Sequence, residues 1–537
     1  MTERRILAVI PARAGSKGIP NKNVRLINGK PLISYAIANA MASNFITDVV
    51  VTTDSSMVKV IAEQMGAKVV DRSADLCGDS VTLDGVIYDA ARRFDCDVVV
   101  TMQPTSPTLK VDTLDRAIAY FLERGLDTLI SANNRPHLAW TRNADGKVVP
   151  AYKERLNRQY LPPYYAETGA FVIARRDMVT PKTRIGPRVE VFDVPDDESV
   201  DIDSYSDLAT ATMTLERKKI AFYVNGNNKR GLGHVYRALE LADEFYSKPD
   251  IYYDSNQTDR SVFGETTHNL IPVNGIGELL GILQRTRYSI FVNDILDTSL
   301  DYMIAVRTAL PHARIVNFED GGEGAAHADL VFNALFSAED GSNVKAGERY
   351  YIASKIFMFY HPVAIRDRVK DVFISFGGAD PQNYSDRLLR IVASDKYRNV
   401  NFHVVLGRAK TNVDELLRIG NGLPNVEVLH DIVDMPGVMS RCDVGITSRG
   451  RTGYELALLG IPTIAMAQNH REERHGFVCA ENGFSYLGLN PSDTLIESTL
   501  DAYIGMSAEE RTRYRELLLS HDLRNGRARV MNLIHSL

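Results

Sequence analysis

Short apolar runs that alternate with amphipathic helical stretches constrain the fold of this chain more than any other feature. Near the N-terminus three apolar runs are each followed by a helical stretch: 6–10 by 31–42, 48–52 by 56–65, and 97–102 by 111–124. This alternation is typical of a mostly parallel sheet with helices on both faces. The sequence therefore predicts an α/β protein whose N-terminal domain is a doubly wound sheet.

The alternation restarts twice, and each restart predicts a new globular unit. The first restart follows the charged segment 216–219 and gives apolar runs at 220–224, 288–292 and 313–317. The second gives apolar runs at 369–375, 401–406 and 425–429. A chain of 537 residues is also too long for one ordinary hydrophobic core. We therefore predict units at 1–217, 218–367 and 368–537, the last two forming a two-lobed α/β domain.

The apolar run at 6–10 leads directly into a loop that is rich in glycine and positive charge. Gly15 and Gly18 permit a tight turn in which successive backbone N–H groups face one anion. Three cations and two neutral hydrogen-bond donors stand beside them, namely Arg13, Lys17, Lys22, Ser16 and Asn23. The spacing of a P-loop is missing. Because α/β sheets bind ligands at the carboxyl ends of their strands, we interpret this loop as a site for a nucleoside triphosphate.

Two aspartates, Asp201 and Asp203, stand two residues apart near the end of the first domain. In an extended segment both carboxylates point to the same side, where they can hold one divalent cation. Mg²⁺ is the cation expected beside a triphosphate, because it prefers oxygen ligands and bridges carboxylates to phosphate oxygens. Further acidic residues lie between 193 and 198, so the spacing alone is equally compatible with a solvated acidic run.

Composition and charge exclude several classes of protein. A net charge of −6 at neutral pH and the absence of a basic tract exclude non-specific nucleic-acid binding. The longest apolar stretch, 456–467, is interrupted by Gly460 and Pro462 and is shorter than the ~20 residues that span a bilayer. The four cysteines include no C-x-x-C pair, so neither a zinc site nor a disulfide framework is expected. We therefore predict a cytoplasmic protein with reduced thiols, no membrane span and no nucleic-acid partner.

Four motifs in the first domain resemble those of CMP-sialic acid synthetases and related cytidylyltransferases. They are the loop at 10–23, Asn28-Gly29-Lys30-Pro31-Leu32-Ile33, Gln103-Pro104-Thr105-Ser106-Pro107 and Val200-Asp201-Ile202-Asp203. The resemblance covers residues 4 to about 215 and implies a nucleotidyltransferase fold. It also implies that the anomeric hydroxyl of an acidic nine-carbon sugar attacks the α-phosphate of CTP, giving a CMP-sugar and pyrophosphate.

The same resemblance implies roles for individual residues. Lys22 and Arg13 would contact the triphosphate, Arg72 would lie near the nucleotide, and Gln103 would contact the reacting sugar. The family places its metal-binding aspartates in the Val-Asp-Ile-Asp pattern, which favours Mg²⁺ binding by Asp201 and Asp203. Lys22, Gln103 and Asp203 are accordingly the residues expected to contribute most to catalysis.

Residues 158–165, Arg-Gln-Tyr-Leu-Pro-Pro-Tyr-Tyr, resemble the family segment that recognises the substrate carboxylate and forms the dimer contact. The resemblance implies that Arg158 pairs with that carboxylate and that the protein is a homodimer. Glu167-Thr168-Gly169 stands where many sialic acid enzymes have Asn-Gly, and Thr108-Leu109-Lys110 stands where Leu-Arg is common. The first of these departures favours a relative of N-acetylneuraminate, such as pseudaminic or legionaminic acid, as the substrate.

A second glycine-containing loop, at 230–242, leads into a predicted helix of the two-lobed domain. Gly231 and Gly233 permit a tight turn, and His234 is placed at or near the N-terminus of the helix. A histidine that faces a cleft there titrates near neutral pH and is suited to general-base catalysis. By itself, the motif is equally compatible with a histidine that caps the helix or packs in the core.

Three further segments, together with this loop, resemble the UDP-sugar hydrolase of pseudaminic acid synthesis, a GT-B protein related to the lipid II glycosyltransferase. They are Asn317-Phe318-Glu319-Asp320, Ser375-Phe376-Gly377-Gly378-Ala379-Asp380-Pro381, and residues 450–462. The resemblance spans about 220–530 and is looser than that of the first domain. It implies that His234 activates water against a UDP-sugar and that Glu455 binds the ribose hydroxyls. It also implies that a diphosphate lies close to the backbone amides of Gly377, Gly378, Gly450 and Thr452.

The second half also departs from these hydrolases. Asparagines at 225, 227 and 228 stand where an aspartate usually precedes the loop, Tyr454 replaces a tryptophan, and Asn469-His470 replaces Asn-Gln. We predict a bifunctional enzyme of nonulosonic acid biosynthesis that makes a CMP-sugar and hydrolyses a UDP-amino sugar. Two alternatives keep the cytidylyltransferase and make the second half a nucleotide-sugar glycosyltransferase or a non-catalytic GT-B-like scaffold.

Overall fold

The structure is a computed structural model that describes residues 4–15, 18–78, 80–226, 232–336 and 341–537. The chain divides into two compact units, Met1–Arg217 and Lys218–Leu537. Among the described residues no helix is both long and apolar enough to cross a membrane. The four cysteines are free thiols.

The N-terminal unit contains the three strand–helix pairs that the sequence predicts for its first half. Its strands are β1 (Ile6–Pro11), β2 (Leu26–Ile27), β3 (Lys30–Pro31), β4 (Asp48–Thr53), β5 (Lys68–Asp71), β6 (Val98–Met102), β7 (Thr128–Asn134), β8 (Trp140–Arg142), β9 (Val148–Pro150), β10 (Tyr165–Arg175) and β11 (Val189–Asp193). Its α-helices are α1 (Leu32–Ala42), α2 (Ser56–Gln64), α3 (Leu83–Ala91), α4 (Val111–Arg124) and α5 (Tyr205–Leu215).

One mixed seven-stranded sheet forms the centre of this unit, in the order β11-β7-β10-β6-β1-β4-β5. β1 pairs in parallel with β4 and β6, whereas β10 runs antiparallel to β6 and β7. Ile6, Ala8 and Ile10 belong to the apolar core on one face of the sheet, and Leu7 and Val9 to the core on the other. A strand that is covered on both faces is apolar at successive positions, as β1 is. The predicted doubly wound α/β fold is therefore confirmed.

The C-terminal unit contains two further sheets, which define an N-lobe and a C-lobe. The N-lobe elements are β12 (Ile220–Val224), α6 (Gly233–Ala242), β13 (Asp250–Asp254), β14 (Asn269–Val273), α7 (Ile276–Arg285), β15 (Ile290–Asp294), α8 (Leu300–Ala309), β16 (Arg314–Phe318), β17 (Leu330–Asn333) and β18 (Val344–Ala346). The C-lobe elements are β19 (Asp371–Ser375), α9 (Tyr384–Val392), β20 (Asn401–Leu406), α10 (Val413–Asn421), β21 (Val426–His430), α11 (Met435–Met439), β22 (Val444–Ser448), α12 (Arg451–Leu458), β23 (Thr463–Ala467), β24 (Phe484–Leu489), α13 (Asp493–Gly505) and α14 (Ala508–Leu519), followed by α15 (Gly526–His535).

Both lobes are parallel sheets in which the first strand lies in the interior of the sheet. The orders are β14-β13-β12-β15-β16-β17-β18 in the N-lobe and β21-β20-β19-β22-β23-β24 in the C-lobe. The chain order therefore reverses beside β12 and beside β19, and ligands of α/β sheets bind at the carboxyl ends of strands at such reversals. This two-lobed arrangement confirms the predicted GT-B-like α/β architecture.

The last helix packs on the N-lobe, although it follows the C-lobe in the chain. Arg527 of α15 donates to the carbonyl oxygen of Glu240 at 3.0 Å and pairs with Glu244 at 3.1 Å. The ring of His535 lies 5.6 Å from that of Phe245. A division at 367/368 therefore separates the two sheets, but it assigns α15 to the lobe that it does not contact here.

Candidate functional sites

The first candidate site lies at the carboxyl end of β1, where the glycine-rich loop meets the acidic segment 201–203. Lys22 Nζ donates to the carbonyl oxygen of Ile202 at 2.7 Å and to Oδ1 of Asp203 at 3.2 Å. Gly18 packs so closely that a Cβ at this position would lie 2.6 Å from the carbonyl oxygen of Asp203. Two residues that the sequence singled out therefore hold the loop and the acidic segment together.

Asp201 is the buried member of the acidic pair, and Asp203 is the exposed one. The segment is a loop before α5 and not a strand. Oδ1 of Asp201 is buried and has no hydrogen-bond partner within the described part of the chain. Burial, and then the charge of Asp203, raises the pKa of the Asp201 carboxyl above its usual value. A divalent cation would supply the missing partner and remove the repulsion, so this pair of carboxylates fits Mg²⁺.

The protein would supply only part of such a metal's coordination. In the residues that the structure describes, no group of three or more His, Cys, Asp or Glu side chains could hold a metal ion. Mg²⁺ usually keeps several waters and is bound by one or two carboxylates together with substrate phosphates. Two aspartates beside a triphosphate loop are consistent with that mode of binding.

The carboxyl end of β6 brings Gln103 to the same place. The backbone N–H of Ile202 donates to the carbonyl oxygen of Thr105 at 2.9 Å, which ties the loop after β6 to the acidic segment. Gly169 of β10 has a φ of +68°, and a Cβ there would lie 3.0 Å from Asp201 Oδ2 and 3.1 Å from Gln103 Nε2. Asp201 and Gln103 thus pack against one glycine, and a side chain at 169 would displace both.

Two arginines lie together beside the phosphate loop. Arg72 is buried and its NH2 group donates to the carbonyl oxygen of Thr52 at 2.8 Å. Burial lowers the pKa of Arg72, and the nearby charge of Arg13 lowers it further. Neighbouring guanidinium groups are suited to a polyanion such as a triphosphate. Asn23 has a different contact from the one expected, because its Nδ2 donates to the carbonyl oxygen of Arg13 at 3.0 Å and so braces the loop backbone.

Three other predicted residues are not brought to this site. Ser16 and Lys17 lie outside the described residues. Arg158 lies in the 3-10 turn Arg158–Tyr160 and is exposed. It is not among the residues that line the cavity beside Asp201.

The second candidate site is a cavity of about 410 Å³ that is lined by residues of both lobes of the C-terminal unit. It brings together all the residues that the sequence predicted for the second half: His234, Gly377, Gly378, Gly450, Thr452 and Glu455. These residues are spread over more than half of that unit in sequence. Their convergence on one cavity is the main result for this site.

His234 lies in the first turn of α6 and is held by Asp294, the last residue of β15. Its Nδ1 lies 2.5 Å from Oδ1 of Asp294. Burial alone would raise the pKa of Asp294, but the charges of Arg237 and His234 hold it below its usual value. An ionised Asp294 accepts the Nδ1 proton, which leaves Nε2 unprotonated in neutral His234 and able to take a proton from a ligand.

Arg237, one turn after His234, fixes the position of the Asp294 carboxylate. Its Nε and NH2 groups donate to the two oxygens of Asp294 at 2.7 and 2.6 Å, and its NH1 group donates to Oε1 of Glu319 at 3.1 Å. Sequence reasoning missed Arg237 and Asp294. The spacing of three residues between His234 and Arg237, which places both on one face of a helix, was the available signal.

Glu319 and Asp320 follow β16 and have different roles. Asp320 builds the turn, since its carboxylate accepts from the backbone N–H groups of Thr298 and Gly322, both at 2.9 Å. Glu319 has a φ of +52°, is buried, and reaches Arg237. Such left-handed backbone is uncommon outside glycine and is held where the surroundings determine it.

Glu455 lies in the first half of α12, and its carboxylate forms no hydrogen bond with any described residue. Burial raises its pKa to about 7. Glu472 lines the same cavity, and burial raises its pKa to about 7 as well. A carboxylate without a protein partner is suited to accept hydrogen bonds from a ligand's hydroxyl groups.

Two departures from the hydrolase pattern have structural explanations. Asn225 is buried, and its Oδ1 accepts from the backbone N–H of Asp254 at 2.8 Å, so it supports the neighbouring strand end. Tyr454 stacks on Tyr351 with ring centroids 4.4 Å apart and donates to the carbonyl oxygen of Ala334 at 3.0 Å. Both therefore stabilise the lobes. The asparagines at 227 and 228 lie outside the described residues.

Glu455 is expected to make the stability of the protein depend on pH. Its pKa is raised from 4.5 to about 7, so between these values the folded protein holds a proton that the unfolded chain has released. Raising the pH from about 5 to about 8 should therefore lower Tm, and Glu455→Gln should reduce that fall. Thermal melts at the two pH values test this. Glu415→Gln, at an exposed position of α10, is the control, and an unchanged fall in Glu455→Gln would contradict the expectation.

Comparisons with known proteins identify the N-terminal unit. Residues 7–208 match the family model described as cytidylyltransferase. N-acylneuraminate cytidylyltransferase A of Danio rerio is 31% identical over 235 residues, which are 42% of this chain and 53% of that protein. The CMP-N,N'-diacetyllegionaminic acid synthase of Legionella pneumophila is 38% identical over 149 residues, which are 27% of this chain and 64% of that protein. The chain thus spans between half and two thirds of the length of these relatives.

Among solved structures, MurG of Acinetobacter baumannii matches with 12% identity and a TM-score of 0.46, over 59% of this chain and 100% of that one. The family match concerns the first unit and the sheets of the second unit are described above. Over residues 7–208 this chain therefore contains a cytidylyltransferase-family domain, which is followed by a two-lobed, GT-B-like α/β unit.

Proposed function

We propose that the N-terminal unit transfers CMP from CTP to an acidic nine-carbon sugar of the nonulosonic type and releases pyrophosphate. The observation that carries this proposal is the convergence of Lys22, Gln103, Asp201 and Asp203 at the carboxyl ends of β1 and β6. The family match supports the reaction class. The relatives named for N-acylneuraminate and for diacetyllegionaminic acid support the class of sugar.

In this reaction the protein mainly positions groups and stabilises charge, as in other phosphoryl transfers. Arg13, Arg72 and Lys22 would bind the triphosphate, and Gln103 would orient the sugar whose hydroxyl attacks the α-phosphorus. Asp201 and Asp203 would hold Mg²⁺, which neutralises phosphate charge when it is bound. Lys22 already contacts Asp203, so it is placed to stabilise the charge that develops beside the metal site.

We propose that the C-terminal unit hydrolyses a UDP-linked amino sugar with His234 as the general base. Nε2 of His234 would take a proton from water while the water oxygen bonds to the anomeric carbon. The bond from that carbon to the diphosphate oxygen would break, and UDP would leave with the electron pair. Glu455 would accept hydrogen bonds from the ribose. The glycines at 377, 378 and 450, with Thr452, would lie against the diphosphate.

The two alternatives for this unit differ in what the site does. A glycosyltransferase would use the same base on an acceptor hydroxyl in place of water. A non-catalytic scaffold has no need of a buried histidine–aspartate pair, and the bidentate contact from Arg237 to Asp294 therefore favours a catalytic role.

Assays of the full-length protein separate these possibilities. Formation of pyrophosphate and a CMP-sugar from CTP and a panel of nonulosonic acids tests the first proposal. Release of UDP from UDP-amino sugars, with and without acceptors, tests the second. UDP release without an acceptor supports hydrolysis, acceptor-dependent release supports a transferase, and no release from any UDP-sugar supports a scaffold.

We further propose that the protein is a homodimer through the arm around residues 158–165. Tyr160 and Tyr164 of this arm are 66% and 65% exposed, and Trp140 of the neighbouring hairpin is 57% exposed. Exposed aromatic residues are enriched at subunit contacts. Light scattering at tens of micromolar should give about twice the 59.8 kDa of one chain. A monomer mass at that concentration would overturn the proposal.

A further inference from the structure

A second cavity of the N-terminal unit lies directly beside the acidic pair. Its volume is about 250 Å³, and its lining includes Asn133, Arg135, Thr168, Ser199, Asp201 and Thr210. It therefore combines the end of β7, the middle of β10, the acidic loop and helix α5. Among the described residues that line it, Arg135 is the one cation.

Arg135 is held in place by two buried side chains. Its Nε donates to Oδ1 of Asn133 at 2.6 Å, and its NH2 group donates to Oγ of Ser199 at 2.8 Å. Asn133 in turn donates to the carbonyl oxygen of Val194 at 2.8 Å, and Ser199 to that of Asp196 at 2.9 Å. A guanidinium that is anchored through Nε and one NH2 group is preorganised, and little entropy is lost when its other donors bind a ligand.

The free donors of Arg135 remain accessible. Its NH1 group forms no hydrogen bond with any described residue, and its side chain is 45% exposed. Its nearest carboxylate, Asp196, lies 3.7 Å from Nε, and Asp196 is itself 78% exposed. Such an exposed pair contributes little, so Arg135 is not neutralised by a protein partner.

The chemistry of the proposed reaction places the substrate carboxylate close to the metal site. In a 2-keto sugar acid, the anomeric carbon carries both the carboxylate and the hydroxyl that attacks the α-phosphate. The carboxylate is therefore within two bonds of the reacting oxygen. The residue that recognises it must lie beside Asp201, and Arg135 shares a small cavity with Asp201.

Other cations of this unit meet that requirement less well. Arg158 is exposed in its 3-10 turn and does not line the cavity. Lys110 pairs with Asp197 at 3.2 Å and with Glu198 at 3.1 Å. Lys22 contacts Ile202 and Asp203 on the side of the phosphate loop.

We infer that Arg135 binds the carboxylate of the sugar acid and that it, and not Arg158, is the main determinant of the enzyme's selectivity for acidic sugars. This inference rests on the proposed cytidylyltransferase function. It adds a recognition residue that has no counterpart in the motifs of the sequence. Its site is complete within one chain, whereas a role for Arg158 requires a neighbouring subunit or a movement of its arm.

Kinetics of Arg135→Gln and Arg135→Lys in the full-length protein test the inference. The KM for the sugar acid should rise at least ~10-fold in Arg135→Gln, because a charged hydrogen-bond donor is lost, and the KM for CTP should stay within about twofold. Arg135→Lys should be intermediate, since it keeps the charge and loses the fork. Arg124→Gln, at an exposed position in the last turn of α4, is the matched control and should behave as wild type.

Binding of an acid and its ester separates recognition from a folding defect. Affinities for N-acetylneuraminic acid and N,N'-diacetyllegionaminic acid are compared with those for their methyl esters by NMR titration. Wild type should prefer each acid, and Arg135→Gln should lose that preference. A mutant that is weakened equally for acid and ester would show a structural role only and would overturn the inference.

The outcomes distinguish this inference from the proposed function. If wild type forms no CMP-sugar from any acid, the proposed function fails, and the acid–ester comparison still decides the role of Arg135. If wild type is active and Arg135→Gln retains its KM and its acid preference, only the inference fails. A loss of acid preference in Arg158→Gln, with Arg135→Gln unchanged, would assign the carboxylate to Arg158.

Discussion

Replacement of His234 by alanine or asparagine is expected to abolish UDP release while CMP-sugar formation continues at the wild-type rate. A general base contributes ~10²–10⁴-fold to a rate, so the loss should appear in kcat and not as weaker binding alone. The two activities should separate because the chain divides into two compact units. Measurement of both activities on one preparation of each variant tests the expectation.

The residues around His234 sharpen this test. Asp294→Asn should also lower UDP release strongly, because an asparagine can donate to Nδ1 and so favour the tautomer whose Nε2 carries the proton. His268 offers a matched control, since its Nε2 lies 2.9 Å from Asp243 and it does not line the cavity. His268→Asn should leave UDP release unchanged. Wild-type UDP release in His234→Ala would reduce His234 to a structural residue and remove the main support for hydrolysis.

The sequence predicted the architecture where its signal is local. Apolar runs of strand length followed by amphipathic stretches predicted β1, β4, β6, β12 and β19, because parallel strands buried on both faces are apolar at successive positions. β10 was not predicted. It is antiparallel, carries the polar residues 167–169, and owes its place to pairing with β6 and β7. Pairing between distant segments leaves no periodic pattern in either of them.

The candidate sites show the same division between local and long-range information. Lys22 and Asp203 stand in motifs with glycine or paired acid, and the structure brings them within 3.2 Å of each other. Arg237 and Arg135 stand in no motif, and their roles depend on contacts with Asp294 and Ser199 that the fold creates. A single arginine on a helix or at a strand end has the same appearance in the sequence as a surface arginine. Its function is visible only when its partners are known.

Asp201→Asn and Asp203→Asn are each expected to lower cytidylyl transfer by at least ~100-fold, because the loss of a metal-binding carboxylate removes transition-state stabilisation of several kcal/mol. Each variant should also need more Mg²⁺ for half-maximal activity. Folding should be preserved in both. Asp203 is exposed, and the raised pKa of buried Asp201 means that its ionised form destabilises the metal-free protein. A neutral amide of the same size avoids that cost, so Tm of Asp201→Asn without Mg²⁺ should equal or exceed that of wild type.

A neighbouring aspartate supplies the control that separates metal binding from general acidity. Asp197 belongs to the same acidic run, but it pairs with Lys110 at 3.2 Å. Asp197→Asn should therefore keep the Mg²⁺ dependence of wild type. If the aspartates at 201 and 203 only contribute to a solvated acidic surface, all three variants should retain near-normal turnover at saturating Mg²⁺. That result would refute the metal assignment, whereas a loss confined to Asp201→Asn and Asp203→Asn would locate the catalytic cation between the phosphate loop and Gln103.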